Sequence, residues 1–416
     1  MTSTVYIAKN VYGGDGMGRL GDGRVVFVPG AFAGENVKAE FIEEKRNFVK
    51  ARLVEIVEPS PERIGRDGKG DGSAPVVPGM VYSDLSYRGE CEAKRRQLEE
   101  FFDRARIVHP EIGQSTNRTF FNYRNKAVYH FAKQKGKWVL GYRTEPSHEI
   151  VDVTVDPLAC PEINAKLPEI RRQVLALLTQ GAEVVRKSVE KEGNVTVRWT
   201  SRSGVQWWIG RAKQPVVMKE LTCGKVFEVP AGGFYQMNPE VGEALVRAVV
   251  EEVKKSSEGE RRNIVDFYCG VGVFGLCAVS DLSGSCPASR LPDISLIGIE
   301  SGRQAIEFAK RNAANLKAQN AKFFAEEVGR NRKRIPLDEH TTVIVDPPRD
   351  GLEPGVAEWL ASSKAPRIIY VSCDPATLMR DLRVITRSYD VANVQWFNMF
   401  PRTARFETMV ILDKKA

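Results

Sequence analysis

The sequence predicts a multidomain α/β protein in three parts, and three observations carry that prediction. The first sixty residues are short β-rich runs separated by turn residues, and residues 59–78 crowd Pro, Gly, Asp and Ser. Beyond about Phe227 strands alternate with helices, the pattern of an open parallel sheet. The expected organisation is a small β-barrel over 1–60, an α+β region over 61–226 entered through a linker at 59–78, and an α/β domain over 227–416. At 416 residues the chain is long enough for two or three full-sized cores.

Taken in order, the runs at 5–7, 25–28, 36–42 and 49–57 read as the barrel strands. Gly13, Gly14, Gly16 and Gly18 crowd the first connection, where a tight turn is expected. No Gly-Lys-Ser/Thr ending follows, which argues against a phosphate loop. From Tyr82 to about Arg106 the pattern is helical, with Lys94-Arg95-Arg96 on a solvated basic face. Strands near Phe131, at 138–142 and at 150–153, a helix at about 162–180, and a strand pair at 195–199 and 205–210 complete the α+β region. Further strands are expected at 263–268, 294–300, 342–346, 367–372, 394–397 and 408–412. Ala305, Ile306, Ala309, Ala313 and Leu316 space the helix after the second of these, and 280–293 reads as a lengthened surface loop.

Composition removes several classes of function. Hydrophobic residues at 42% and charged residues at 27% fit neither a disordered chain nor a membrane protein. No apolar run approaches the ~20 residues that span a bilayer, and the N-terminus has no basic stretch followed by an apolar core. The expectation is a cytoplasmic protein with no membrane partner, monomeric by default. Sixty-one Lys and Arg against fifty-three Asp and Glu leave a net +8, which favours a polyanionic partner. The seven cysteines, at 91, 160, 223, 269, 277, 286 and 373, show no Cys-x-x-Cys or Cys/His cluster. Neither a disulfide framework nor a metal site follows, and a reducing compartment does.

Gly270-x-Gly272-x-x-Gly275 follows the first strand of the α/β domain and opens a helix, so bare backbone can approach a nucleotide-like ligand there. Asp266 ends that strand, Glu300 the next, and Asp346-Pro-Pro-Arg349 a later one. An acidic residue closing the second strand suits a ribose diol in a dinucleotide or in S-adenosylmethionine. Nicotinamide binding does not explain Asp346 followed by two prolines, which hold the chain extended and aim the carboxylate toward a ligand. A nicotinamide-dependent oxidoreductase stays open on the glycine pattern alone.

Cys373 ends an apolar strand and is followed by Asp374-Pro375 and a helical pattern, an N-cap and a first-turn proline. Its sulfur is expected at a helix N-terminus that favours the thiolate. Glu407 begins the last strand and can face the same sheet edge. A thiol, a carboxylate and a methyl donor together suit one reaction. Thiolate addition at carbon 6 of a uracil makes carbon 5 nucleophilic toward a methyl group, and a base then removes the carbon 5 proton so that the thiol is expelled.

Phe234-Tyr-Gln-Met-Asn238, Asp266-Phe-Tyr-Cys-Gly-Val-Gly272, Ile299-Glu300, Asp346-Pro-Pro-Arg-Asp-Gly351, Ser372-Cys-Asp-Pro375 and Phe400-Pro-x-Thr-x-x-x-Glu407 together resemble the S-adenosylmethionine-dependent RNA uracil-5 methyltransferase family, in its order and roughly its spacing. The resemblance implies a Rossmann-like class I methyltransferase domain in which Gln236, Tyr268, Glu300 and Asp346 contact S-adenosylmethionine. The backbone at Gly270 and Gly272 approaches it, and Glu327 falls near a further cofactor position. Cys373 would be the nucleophile and Glu407 the general base. The first sixty residues resemble a TRAM domain, an OB-like RNA-binding β-barrel, through Val26-Phe-Val-Pro-Gly30 and Gly34-Glu35-x-Val37. Tyr123-Arg-Asn-Lys126 matches another family segment and reads either as RNA-facing or as structural.

Two departures from the family pattern stand out. TRAM-bearing relatives that modify large-subunit ribosomal RNA often carry four cysteines for an iron–sulfur cluster, three of them before the segment at 82–87. Here that stretch has none and Cys160 alone matches the fourth, so no cluster is expected. The family's frequent His near the base is also missing, with Ala404 and Arg405 in its region. The function expected is RNA uridine C5-methylation through a Cys373 adduct, first on ribosomal RNA. Transfer RNA, and then a cytosine-5 RNA methyltransferase, are the alternatives. The last is disfavoured because Asp346-Pro-Pro-Arg349 lacks that group's Pro-Cys pair.

Overall fold

The computed structural model describes all residues except 65–75, 116–117, 145–146, 181–191, 212–215, 257–260, 285–292 and 331–333. Much of the expected linker, part of the loop at 280–293 and Cys286 lie outside the described residues.

β1 (Thr2–Asn10), β2 (Gly16–Arg19), β3 (Val25–Val28), β4 (Asn36–Glu44) and β5 (Phe48–Glu58) close a barrel in the order β1-β2-β3-β5-β4. Alternating residues such as Val5, Ile7, Val26, Val28, Val37 and Ala39 fill it. The glycine-rich connection departs from expectation. Gly13 and Gly14 make the turn at φ +108° and +101°, but Gly16 and Gly18 belong to β2. A Cβ on Gly16 would lie 2.6 Å from the Ala31 carbonyl oxygen, and one on Gly18 2.4 Å from that of Tyr6. Close approach inside a small barrel, not turn geometry, requires glycine at these two positions.

α1 (Tyr87–Ala105) and β6 (Ile112–Ser115) follow in the chain but pack with the C-terminal sheet. The helix starts five residues later than its pattern predicts. Ser86 caps it, its Oγ accepting from the Gly89 N–H at 2.9 Å, while Tyr82 N–H is drawn to the Arg402 carbonyl at 3.1 Å. The basic face is also not uniform: Arg95 and Arg96 reach solvent beside Glu92, but Lys94 is fully buried. Its ammonium donates to Glu90 Oε1 at 2.7 Å, to Asn398 Oδ1 at 2.7 Å and to the Phe400 carbonyl at 3.2 Å. Glu90 is its i,i+4 neighbour on α1, but the other two acceptors come from the loop at 398–402, which no helical periodicity around Lys94 encodes.

β7 (Lys126–Gln134), β8 (Lys137–Arg143), β9 (Ile150–Asp152), β10 (Glu192–Thr200) and β11 (Gly204–Ile209) form a central sheet in the order β11-β10-β7-β8-β9. α2 (Pro161–Gln180) covers one face with Ile163, Leu167, Ile170, Val174 and Leu178, spaced by three or four residues. β12 (Val217–Thr222) and β13 (Lys225–Pro230) make a hairpin that runs across residue 227, turned by Cys223 and Gly224 at φ 51° and 73°.

The C-terminal elements are α3 (Pro239–Lys255), β14 (Arg261–Phe267), α4 (Val273–Gly284), β15 (Asp293–Glu300), α5 (Arg303–Asn315) and β16 (Ala321–Ala325). After them come β17 (Thr341–Val345), α6 (Val356–Ser362), β18 (Arg367–Ser372), α7 (Pro375–Ile385), β19 (Tyr389–Phe397) and β20 (Glu407–Lys414). Their sheet runs β16-β15-β14-β17-β18-β20-β19-β6, parallel from β16 to β18, with β20 antiparallel to both neighbours. Apolar clusters on both faces explain the unbroken hydrophobic runs of its central strands.

The burial of Lys94 makes a stability prediction. Lys94→Met keeps the volume but removes the nearer of the two buried cations beside Glu90, leaving Arg402 Nη1 at 3.7 Å, and urea unfolding is expected to lose about 1–3 kcal/mol. A loss below about 0.5 kcal/mol, the size of an ordinary surface change, would show that the pair holds nothing together.

Candidate active site

The chain leaves β14 for β15 and β16 on one side and returns to β17 on the other, so the crevice at the carboxyl ends of β14 and β17 is a topological switch point. The sequence after β14 shapes it. Tyr268 sits at φ 61°, a conformation costly for a non-glycine residue, and its hydroxyl accepts from the Glu353 N–H at 3.2 Å. A Cβ on Gly270 would meet no atom within 4 Å, whereas one on Gly272, at φ +85°, would lie 3.1 Å from Leu276 Cδ1. Gly270 thus leaves space for a ligand and Gly272 makes the packed turn into α4. Asp266 Oδ2 accepts the Gly275 N–H at 3.0 Å, while its Oδ1 is buried without a partner among the described residues. Burial pushes this carboxyl up to about 7, against the Gly275 N–H.

A solvent-open cleft lies there, with about 680 Å³ of space when its open mouth is included. Gln236, Tyr268, Gly270 and Asp346 line it, joined by Asn125 and Phe234. Gly272, Glu300 and Glu327 do not. Glu300 ends β15 with Oε1 fixed by the Gly302 N–H at 2.7 Å, near enough to raise the pKa of Asp266 and Tyr268. Glu327 lies beyond β16, half-exposed and paired with Arg330 at 2.8 Å. Asn125, which the site residues drawn from the sequence omit, enters the wall because its N–H donates to the Met237 carbonyl at 2.9 Å. Its segment is structural: Tyr123 is buried and donates its hydroxyl to the Pro401 carbonyl at 3.0 Å, and Lys126 donates to the Gly233 carbonyl at 3.3 Å.

Cys373 and Glu407 are brought together by strand register. β18 and β20 pair Ser372 with Thr408, so the next residues outward are Cys373 and Glu407. Asp346 leaves the adjoining strand β17. Glu407 is buried, and its carboxyl stands well above the usual range because of that burial and the charge of Asp346, with Arg349 opposing. Burial pushes Asp346 up to about 7. The Cys373 thiol rises to about 12 through burial and then through Glu407 and Asp346, again opposed by Arg349. This corrects the expected thiolate. The first amides of α7 are taken by Asp374, whose Oδ1 accepts from Ala376 at 2.9 Å and Thr377 at 3.2 Å, and three carboxylates outweigh what remains of the helix dipole.

Comparison with known proteins joins this geometry to a family. Residues 212–415 match the family model described as tRNA (uracil-5-)-methyltransferase, and residues 2–54 match the TRAM domain. The chain is 27% identical to an uncharacterized RNA methyltransferase of Gloeobacter violaceus, over 99% of this chain and 96% of that one. It is 26% identical to another of Thermotoga maritima, over 100% and 99%. Residues 212–415 belong to the RNA uracil-5 methyltransferase family. The fold is also that of the Pyrococcus abyssi tRNA (uracil-54, C5)-methyltransferase solved with S-adenosyl-L-homocysteine. The TM-score is 0.73 at 22% identity, over 99% of this chain and 100% of that one.

S-adenosylmethionine is the methyl donor of the family, and the residues here fit it. Gly270 leaves its ligand side open, Gln236 and Asp346 bring polar groups to the cleft, and among the described residues Asp266 Oδ1 is an acceptor left over beneath the loop. The barrel is a TRAM domain, and with the family it makes RNA the partner of this methyltransferase. Among the described residues no helix is long and apolar enough to cross a membrane, and no group of three or more His, Cys, Asp and Glu could hold a metal. Cys160 is buried in the core of the central sheet, its thiol raised to about 12 by burial.

The thiols can be ranked by reactivity. The Cys223 thiol is lowered, first by its hydrogen bond with Cys277, and is part-exposed, whereas Cys373 holds its proton until strongly alkaline pH. Iodoacetamide at about pH 8 is therefore expected to label Cys223 before Cys373, with Cys373 labelling climbing as pH rises because thiolate is the attacking form. Peptide mass mapping reads the order; Cys373 labelling first and independently of pH would refute it.

Proposed function

We propose that this methyltransferase makes 5-methyluridine in RNA through a covalent adduct between Cys373 and carbon 6 of the target uracil. The observation that carries the reading is the pairing of Ser372 with Thr408, which sets Cys373 beside Glu407, both close enough to Asp346 of the cleft wall to feel its charge. S-adenosylmethionine supplies an electrophilic methyl group when bound, and Gln236, Tyr268, Asp346, Glu300 and the backbone at Gly270 and Gly272 are the groups proposed to hold it. Glu327 is left out of this set because it faces solvent beside Arg330.

The target base must leave its stack to reach a half-buried thiol. As sulfur adds to carbon 6 the thiol proton passes to a neighbouring carboxylate, for which Asp346, near 7, is suited at neutral pH. The negative charge moves to the uracil carbonyl oxygen, and carbon 5 then takes the methyl group. Glu407 removes the carbon 5 proton, the carbon–sulfur bond breaks, and the sulfur regains its proton. A carboxyl held well above its usual range is a stronger base for that step, and Arg349 offsets the charge gathered around it.

Ribosomal RNA is the first substrate proposed, from the TRAM-bearing organisation. The tRNA reading rests on the description of the matching family model. Methyl-labelled S-adenosylmethionine with unmodified ribosomal and transfer RNA, offered separately, tests both. The wild type should label uridine in one of them, and Cys373→Ala should label neither. Glu407→Gln should transfer methyl but slow release by about 10²–10⁴-fold, accumulating a covalent protein–RNA species. Labelled cytidine, or no label in either RNA, would sink the reading.

A further inference from the structure

The rim of the catalytic centre carries a cation held from a different domain. Arg405 lies two residues before Glu407, with its side chain 41% exposed. Its Nη1 donates to the Tyr12 hydroxyl at 2.8 Å, its guanidinium lies 5.5 Å from the centre of the Tyr12 ring, and Nη1 stands 3.5 Å from Asp374 Oδ2. Among the described residues neither Nε nor Nη2 of Arg405 has a hydrogen-bond partner. Tyr12 belongs to the N-terminal barrel, just beyond β1. Its ring packs edge-on against Phe101 of α1 at 5.6 Å and Phe406 at 5.9 Å. One barrel side chain therefore touches both residues preceding Glu407 and, through Arg405, the residue following Cys373.

An arginine spends little entropy on a ligand when its fork is already held, and a planar fork with two free N–H groups matches phosphate oxygens. Asp374 does not consume that capacity: its Oδ1 caps α7, and its Oδ2 meets Arg405 only at 3.5 Å through the nitrogen that already serves Tyr12. Arg95 on α1 shows the contrast, since its Nε, Nη1 and Nη2 are all taken by Glu92 and Glu99.

We propose that Arg405 is the phosphate-binding residue for the nucleotide presented to Cys373, and that Tyr12 is the positioning residue by which the barrel holds it. The ligand is a phosphodiester of single-stranded RNA next to the target base. The proposal rests on the RNA uridine reading for its target, but its test does not require turnover.

The full-length protein is titrated with a fluorescent oligouridylate over a range of salt concentrations. Arg405→Ala should weaken binding about 10-fold, the loss of a charge-assisted contact, and should reduce the slope of log K against log salt by about 0.7, one single-strand phosphate. Arg405→Lys should restore the slope and only part of the affinity. Tyr12→Phe keeps the ring packing and removes the hydroxyl, and should weaken binding by a smaller factor with KM for RNA rising and kcat held. Arg172→Ala, an exposed arginine on α2, is the control for net charge. Unchanged affinity and slope in Arg405→Ala, or an equal loss in Arg172→Ala, would overturn the phosphate assignment. A Tyr12→Phe that lowers kcat with KM unchanged, or changes neither, would overturn the role given to Tyr12. Absence of labelled uridine in the wild type would overturn the uridine reading while leaving the binding result to stand or fall by itself.

Discussion

The Glu90 carboxylate is the point on which the separate parts of this molecule converge. It accepts from Lys94 Nζ at 2.7 Å, Asn398 Nδ2 at 2.9 Å and the Arg402 backbone N–H at 3.0 Å, all within a fully buried network. The loop at 398–402 that it organises is reached by the central region through Tyr123 and leads to Glu407. Arg402 itself adopts φ 67° and is held by the carbonyls of Leu85 at 2.6 Å and Tyr82 at 3.2 Å, with Phe120 at 4.6 Å from its guanidinium. α1 also meets the barrel, where Gln97 donates to the Val11 carbonyl at 3.1 Å, just before Tyr12. A buried charge of this kind is costly unless every partner is in place, so the network gives the loop before Glu407 one conformation.

At the catalytic edge the electrostatics run the other way. Asp266, Asp346 and Glu407 are buried close together with Arg349 as the opposing cation, and each carboxyl is pushed up, as is the Cys373 thiol. Burial raises these groups because their charged forms have too few compensating partners. A sulfonium brings positive charge into this region, so binding of the methyl donor and ionisation of the carboxylates favour one another. That coupling matches the chemistry proposed, in which a base is wanted only once donor and uracil are both present.

Much of the architecture was legible because its signals are local. The glycine loop after β14, the acidic ends of β14 and β15, and the Asp374-Pro375 start of α7 are each written within a few residues. Strands that failed to announce themselves are those with mixed composition. β6 is Ile-Gly-Gln-Ser, and it exists because β19 offers it an edge, pairing Val394 with Ile112. β2 is half glycine, and it is a strand because the barrel brings the Tyr6 and Ala31 carbonyls too close for a Cβ.

By itself, the sequence determined the class of fold, the place of the nucleotide cleft and the family its motifs share, since periodicity, turn chemistry and ordered motifs are properties of neighbouring residues. Tertiary structure decided what those residues experience. It buried Lys94, turned Tyr123 and Asn125 inward, left Glu327 to solvent and raised the Cys373 thiol where a helix start alone favours thiolate. It also carried Tyr12 across nearly the whole length of the chain to Arg405. Burial and charge proximity depend on atoms distant in sequence, and no local pattern specifies which of them will meet.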